Sequence, residues 1–230
     1  AQLVKDAIAD RFRERTGKRP DVDLEDPDIQ IHVMLQGGRA ILSLDSSGDS
    51  LHLRGYRSEQ MEAPLNEVLA SALVLLSGWD RKSTFIDPMC GSGTILLEAA
   101  RIAMNIAPGF RRRKYLFSKW RDFDPKIWDR VQEEGEKTAT YRPPLLLGGD
   151  ISEQAVEITS RNAERAGLRK HIRLACKPFE QLHRPSPGGI LVMNPPYGER
   201  LKLEDQTKFY AGIGDTLKRN FTGYQAWIFS

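Results

Sequence analysis

The tetrapeptide Asn194-Pro195-Pro196-Tyr197 combines residue types that can grip an exocyclic amine. Four apolar residues, Ile190 to Met193, precede it, a run that suits a strand buried on both faces. Two successive prolines must end that strand, because proline has no ladder N–H and disfavours helix in the residue before it. Asn194 is therefore expected to sit extended at the strand's carboxyl tip with its amide unclaimed. Its side-chain oxygen can accept a hydrogen bond from an amine, the Pro195 carbonyl can accept another, and the Tyr197 ring offers a face on which a planar base can stack. The same residues would also serve as a plain strand terminator with a turn-shaping Asn, so a second motif has to decide.

That second motif lies upstream. Thr84-Phe85-Ile86 reads as a short buried strand running into Asp87-Pro88-Met89-Cys90-Gly91-Ser92-Gly93-Thr94, and Ile95 to Met104 are good helix formers. Gly91 and Gly93 allow a backbone to approach a ligand closely, and the helix start behind them presents N–H groups to a carboxylate or phosphate. The string lacks the lysine of a phosphate-binding P-loop and the third glycine of a dinucleotide loop, so ATP and NAD fit poorly. Gly-x-Gly alone is also a common tight turn.

Together the two motifs resemble those of the class I S-adenosylmethionine-dependent methyltransferases that act on exocyclic amines. Four further segments narrow the likeness: Leu51-His52-Leu53-Arg54-Gly55-Tyr56-Arg57, Ala63-Pro64-Leu65, Asn105-Ile106-Ala107-Pro108-Gly109-Phe110, and Asn194 through Arg200. They resemble the bacterial 23S ribosomal RNA guanine-N2 methyltransferases, and in particular the amino-terminal half of a larger chain whose other half makes N7-methylguanine. The likeness covers nearly the whole sequence. It implies S-adenosylmethionine as cofactor, methylation of a guanine N2 in 23S rRNA, and Asn194, Pro195, Pro196 and Tyr197 as catalytic residues. It also implies cofactor contacts at Asp87, Pro88, Met89, Cys90, Gly91 and Gly93 in the glycine loop, at Asp150 and Ile151, at Pro178 and Phe179, and at Pro64 and Leu65 near the methionine end. One departure stands out. Where relatives often carry an acidic residue for the adenine amino group, this chain has Lys177-Pro178-Phe179. Backbone groups around Phe179, or Glu180, are the substitutes, and the Phe179 ring itself reads as core. Other amines (a tRNA guanine, adenine N6 in DNA, a glutamine amide) and a noncatalytic RNA-binding or ribosome-assembly module are the competing readings.

The elements that would hold these residues alternate in type. Pro64 suits a first helical position, with Leu65, Val68, Leu69, Ala72, Leu73 and Leu76 at helical spacing until Gly78. Leu145 to Leu147 leads to Gly148-Gly149-Asp150, a helix from Ser152 to Ala166 ends at Gly167, and strands follow near Ile172 to Cys176 and Ala226 to Phe229. Strands alternating with helices imply an α/β fold, a Rossmann-like doubly wound parallel sheet with ligands at the carboxyl ends of its strands. Asp150, at such an end, is placed to accept from vicinal ribose hydroxyls.

Residues 1–57 read differently. Leu3, Val4, Ala7, Ile8 and Phe12 mark an amphipathic helix, Ile29, Ile31, Val33 and Leu35 alternate as a strand, and Gly37-Gly38 turns it into Ala40 to Leu44. One helix and a hairpin cannot bury a core of their own. By resemblance this is the carboxyl-terminal part of an α+β THUMP domain, an RNA-binding module, with the methyltransferase domain over 58–230. That domain is expected to be cut before a closing antiparallel hairpin.

A segment at about 105–143 is too long for a plain strand–helix–strand connection, at roughly forty residues against the usual handful. It carries Arg111-Arg112-Arg113-Lys114, Lys119 and Arg121 interleaved with Tyr115, Phe117 and Trp120, a combination of phosphate-binding cations and stackable rings. Insertions above a cofactor site commonly contact the substrate, so these cations are expected to hold RNA. The net charge of +3 is mild, which makes this distribution the only electrostatic argument for a nucleic acid. The expected partners are 23S rRNA or a large-subunit assembly intermediate, with a second methyltransferase domain on the full-length chain. No apolar run approaches the roughly 18 residues of a membrane span, and the charged amino terminus is unlike a signal peptide. A cytoplasmic protein with both cysteines reduced is expected. The four histidines are scattered without ligand spacing, so no metal is expected.

Overall fold

Gly37 and Gly38, with φ of 55° and 74°, supply the left-handed pair that a tight hairpin requires. They turn β1 (Gln30–Gln36) back onto β2 (Arg39–Asp45) in antiparallel register, with Val33 opposite Leu42. The helix α1 (Gln2–Thr16) precedes them. The structure, a computed structural model, describes residues 2–57, 65–110, 112, 114–196 and 203–229. Of the expected site residues, Pro64, Arg111, Arg113 and Tyr197 lie outside the described residues.

The chain divides into two units, 1–50 with 112–129, and 51–111 with 130–230. In the first, α1 buries only Ala9, and Leu35 and Leu42 of the hairpin are exposed. The later segment adds a cluster of aromatic rings. Phe117 sits among Tyr115, Phe123 and Trp128, with ring centroids 5.0 to 5.8 Å apart, and its N–H donates to the Ser46 carbonyl at 3.0 Å. Arg112 donates to the Ser47 carbonyl (2.8 Å) and to those of Asp49 and Ser50, and lies 4.9 Å from the Tyr115 ring centre.

The second unit is built on a five-stranded parallel sheet in the order β5-β4-β3-β6-β7. Its strands are β3 (Thr84–Asp87), β4 (Leu146–Asp150), β5 (Ile172–Cys176), β6 (Gly189–Met193) and β7 (Tyr224–Ile228). The helices are α2 (Glu67–Leu76), α3 (Thr94–Ala103), α5 (Glu153–Ala166) and α6 (Leu203–Asn220), while α4 (Pro125–Thr138) bridges the sequence limits of the two units. Phe85, Leu146, Ile172, Ile190 and Val192 turn to one core with α3, and Ile86, Leu191 and Met193 turn to another with Phe179, Ile213 and Phe221. Burial on both faces is what the unbroken apolar runs require.

The first helix of this unit departs from the expected one. It starts at Glu67, because the Asn66 side chain accepts the N–H groups of Val68 (2.8 Å) and Leu69 (3.4 Å) and so caps it. Its buried face is Glu67, Ala70 and Val74, whereas Val68 and Leu76 are exposed. Polar anchors turn the helix: Glu67 pairs with Arg57 and Ser71 bonds to Glu98, which draws that side inward.

Candidate functional site

The sheet's connectivity reverses between β3 and β6. From β3 the chain moves outward through β4 to β5, then returns to β6 on the other side. Crevices outside the carboxyl ends of such a pair are where doubly wound sheets bind ligands. Here those ends carry Asp87 and Asn194, on neighbouring strands in which Ile86 faces Leu191. Asp87 is 1% exposed and its Oδ1 has no hydrogen-bond partner among the described residues; the half-buried Asn194 has a buried Oδ1 in the same condition. An unpaired buried acceptor costs about 1–3 kcal/mol, so two at one sheet edge mark a place shaped for donors supplied from outside.

The glycine loop is held from three sides. Gly93 has φ of 84° and stands at the N-cap of α3, and a Cβ added there would stand 2.7 Å from Thr159 Cγ2, so both conformation and space require glycine. The Thr159 hydroxyl donates to the Gly91 carbonyl (2.9 Å), and the Asn162 amide donates to the Ser92 carbonyl (3.0 Å). The Cys90 N–H donates to the Gly149 carbonyl at 2.8 Å. Asp150 completes the frame, accepting the Gly91 N–H on one oxygen and the Ser152 N–H on the other, both at 2.9 Å, while Ser152 itself caps α5. Thr159 and Asn162 were not singled out from the sequence. Their signal was there, as two polar residues on the helix face that also carries Ala155, Ile158, Ala163 and Ala166.

Burial pushes the Asp87 carboxyl up to about 8, the neighbouring Asp150 charge adds to the rise, and the N–H groups of Met89 and Leu96 oppose it. The Cys90 thiol is also driven up, by burial first and then by Asp87, so it is an inert packing group. Because Asp87 binds its proton more tightly folded than unfolded, its contribution to stability is complete below the unfolded carboxylate range. It is lost as pH rises through about 8. Between about pH 4 and 8 the ligand-free protein should lose up to roughly 1.4 kcal/mol per pH unit through this group. Thermal melts of wild type and Asp87→Asn across that range check this, and parallel curves for the two would refute it.

The remaining expected positions are distributed as follows. Pro88 is buried, Met89 is half-buried, Ile151 is 74% exposed, and Leu65 and Pro178 are half-buried. The Phe179 ring lies in the core, 5.6 Å from Phe221 and nearly parallel to it, and the Pro178 and Phe179 carbonyls accept the N–H groups of Gln181 and Leu182, both at 3.0 Å. Pro195 is buried behind Asn194. In the first unit, Lys119 pairs with Asp26 (2.9 Å) and Asp28 (3.6 Å), while Lys114 and Arg121 are exposed.

The site fits the expected sulfonium cofactor chemically. Asp87 Oδ1 offers an acceptor for an ammonium group, and Asp150 stands at a strand end for hydroxyls. At Gly91 nothing lies within 4 Å of where a Cβ would be, which leaves space over the loop. Among the described residues no group of three metal-ligating side chains occurs, and no helix is long and apolar enough to cross a membrane.

Comparison with known proteins gives a consistent picture. The family of RMKL-like methyltransferase domains matches residues 54–230, and the THUMP domain family matches 1–45. Ribosomal RNA large subunit methyltransferase K/L of Methylococcus capsulatus is 44% identical over 98% of this chain, and that of Syntrophotalea carbinolica is 42% identical over 100%. The chain spans about a third of the length of these relatives, 32% and 34% respectively. The crystal structure of SMU.472 complexed with SAH is 34% identical, with a TM-score of 0.88 over 99% of this chain and 60% of that one.

Proposed function

Since the chain belongs to the RMKL-like methyltransferase domain family and carries a THUMP segment, we propose that it methylates the exocyclic N2 of a guanine in 23S rRNA. S-adenosylmethionine is the methyl donor, and what it supplies when bound is a methyl group already activated on sulfur. The single observation that carries the reading is a pair of buried acceptors without partners among the described residues, Asp87 Oδ1 and Asn194 Oδ1, on adjacent strand ends at the sheet's reversal point. The ribosomal RNA substrate rests on the names of the full-length relatives, and guanine N2 rests on the sequence segments that flank the two motifs.

In this reading the protein aligns groups and excludes water. Asn194 Oδ1 and the Pro195 carbonyl accept the two N2 hydrogens, which favours a pyramidal amine with its lone pair free for attack. The Tyr197 ring stacks on the base. Asp87 holds the cofactor's ammonium group, Asp150 its ribose hydroxyls, and backbone groups at Pro178 and Phe179 its adenine. As the N–C bond forms, the methyl's carbon–sulfur bond would break with S-adenosylhomocysteine as leaving group, and the cationic nitrogen would then lose a proton to solvent. The guanine has to leave its stack to reach the sheet edge, at a cost of a few kcal/mol.

The deciding experiment is transfer of labelled methyl from S-adenosylmethionine to 23S rRNA isolated from cells lacking the modification, followed by identification of the modified nucleoside. N2-methylguanine is expected. Label in N6-methyladenine or in protein, or no transfer at all, would overturn the proposal.

RNA binding is assigned to the basic segment, with one refinement. Arg112 and Lys119 already serve the first unit's own loops, so reversing the whole cluster would confound binding with folding. Lys114→Glu with Arg121→Glu is expected to weaken RNA binding and lower the salt-dependence slope by about 1 for each phosphate that is no longer neutralised. The melting temperature should hold. Filter binding at several salt concentrations checks this, and an unchanged slope would remove both residues from the interface.

A further inference from the structure

Arg57 belongs to the segment Leu51–Arg57, to which the proposed reaction assigns no role. Its side chain is 13% exposed. One terminal nitrogen of its guanidinium donates both to the Leu65 carbonyl at 2.8 Å and to the Thr94 hydroxyl at 3.0 Å. Its Nε lies 3.3 Å from Glu67 Oε1, an ion pair without hydrogen-bond alignment. Thr94 is the first residue of α3, directly after Gly93, and its hydroxyl is 3.3 Å from that of Ser92, the residue between the two glycines. A single cation thus joins the backbone leading into α2 with the glycine loop at the start of α3.

The neighbouring Arg54 shows what a purely structural arginine does in this unit. It bonds to the Leu51 carbonyl and pairs with Glu98, one turn further along α3 and away from the loop. Arg57 differs in where its partners stand. Gly93 gives α3 no side-chain cap, so the position of the helix's first turn depends on contacts such as the one to Thr94. The guanidinium spans two places at once, one terminal nitrogen between the Leu65 carbonyl and the Thr94 hydroxyl and Nε beside Glu67; a lysine ammonium keeps the charge but is a single point that cannot occupy both.

We infer that Arg57 is a positioning residue for the methyl-donor pocket, fixing the gap between the glycine loop and the Leu65–Glu67 segment. The inference rests on the glycine loop being the S-adenosylmethionine site. Loss of the bridge from Leu65 to Thr94 lets the two walls separate, and cofactor affinity falls while the methyl-transfer step, once the pocket is filled, is preserved.

The test is calorimetric titration of wild type, Arg57→Lys, Thr94→Val and Arg54→Lys with S-adenosylmethionine and with S-adenosylhomocysteine, alongside thermal melts. Binding by wild type is the prior condition; its absence would sink the site assignment itself, apart from any role of Arg57. Arg57→Lys and Thr94→Val are expected to raise Kd about tenfold, the scale on which loss of one charge-assisted hydrogen bond is felt. In methylation assays the KM for the cofactor should rise in parallel with kcat maintained. Arg54→Lys should lower the melting temperature with Kd unchanged, and added guanidinium should restore binding to Arg57→Ala. Wild-type Kd in Arg57→Lys and Thr94→Val, or an equal affinity loss in Arg54→Lys, would overturn the inference.

Discussion

Asn194→Ala is expected to lower the rate of methyl transfer by about 10²–10³, the scale on which removal of one preorganised polar group from a reacting centre is felt. The argument is local. Asn194 follows the last residue of β6, Pro195 after it is buried, and its own buried Oδ1 has no partner among the described residues. Truncation to Ala removes an acceptor that no other described side chain is using, so the fold loses nothing that stabilised it. Relief of the unpaired acceptor should even leave the melting temperature level or slightly higher. Cofactor affinity should stay within about twofold, because the groups assigned to the cofactor lie on β3, β4 and β5. Single-turnover methylation at saturating RNA isolates the chemical step, with titration of S-adenosylmethionine as the control. A variant that turns over at near the wild-type rate would end the role given to Asn194, and one that also fails to bind cofactor would show that the residue shapes the pocket instead.

Burial on both faces made β6 legible as an unbroken apolar run that ends at Met193 before the prolines; β5 spans the Ile172 to Cys176 expected although Arg173 interrupts its apolar residues and only Ile172 is buried. The glycine loop was legible because Gly91 and Gly93 stand between a short apolar run and good helix formers. Local spacing failed where a distant partner decides. The face of α2 is turned by Glu67 and Ser71, whose partners Arg57 and Glu98 are 10 and 27 residues away in sequence, and no periodicity within the helix reports them. Thr159 and Asn162 support the loop from 68 and 70 residues downstream. In the basic segment the spacing of Arg112 and Lys119 suggested free cations, yet their acceptors are the carbonyls of Ser47, Asp49 and Ser50 and the carboxylates of Asp26 and Asp28. The ionisation of Asp87 depends on complete burial beside Asp150, a proximity that only the pairing of β3 with β4 creates.

Glu98→Ala should be the most damaging single truncation for stability. The carboxylate is 2% exposed in the middle of α3, where it accepts from Tyr56 Oη (3.0 Å) and Ser71 Oγ (2.5 Å) and faces Arg54 Nε at 3.5 Å. The Tyr56 hydroxyl is driven well above its ordinary value, by burial first and then by the charges of Glu98 and Glu67, so it stays a donor throughout the accessible pH range. Removing Glu98 strands the 8%-exposed Arg54 and leaves two hydroxyls without their acceptor. Breaking one side of a buried pair costs about 3–5 kcal/mol, most of it the penalty of the charge left behind. The companion variant separates that penalty from the worth of the pair. Arg54→Met combined with Glu98→Leu removes both charges, and it should recover a large part of the loss, because an apolar pair of similar volume is often no worse than a buried ion pair. Denaturant midpoints for wild type, Arg54→Met, Glu98→Leu and the double close the cycle, with Glu98→Ala measured beside them. If Glu98→Ala costs less than about 1 kcal/mol, water already reaches Arg54 and the cluster is not the dry anchor that its burial indicates.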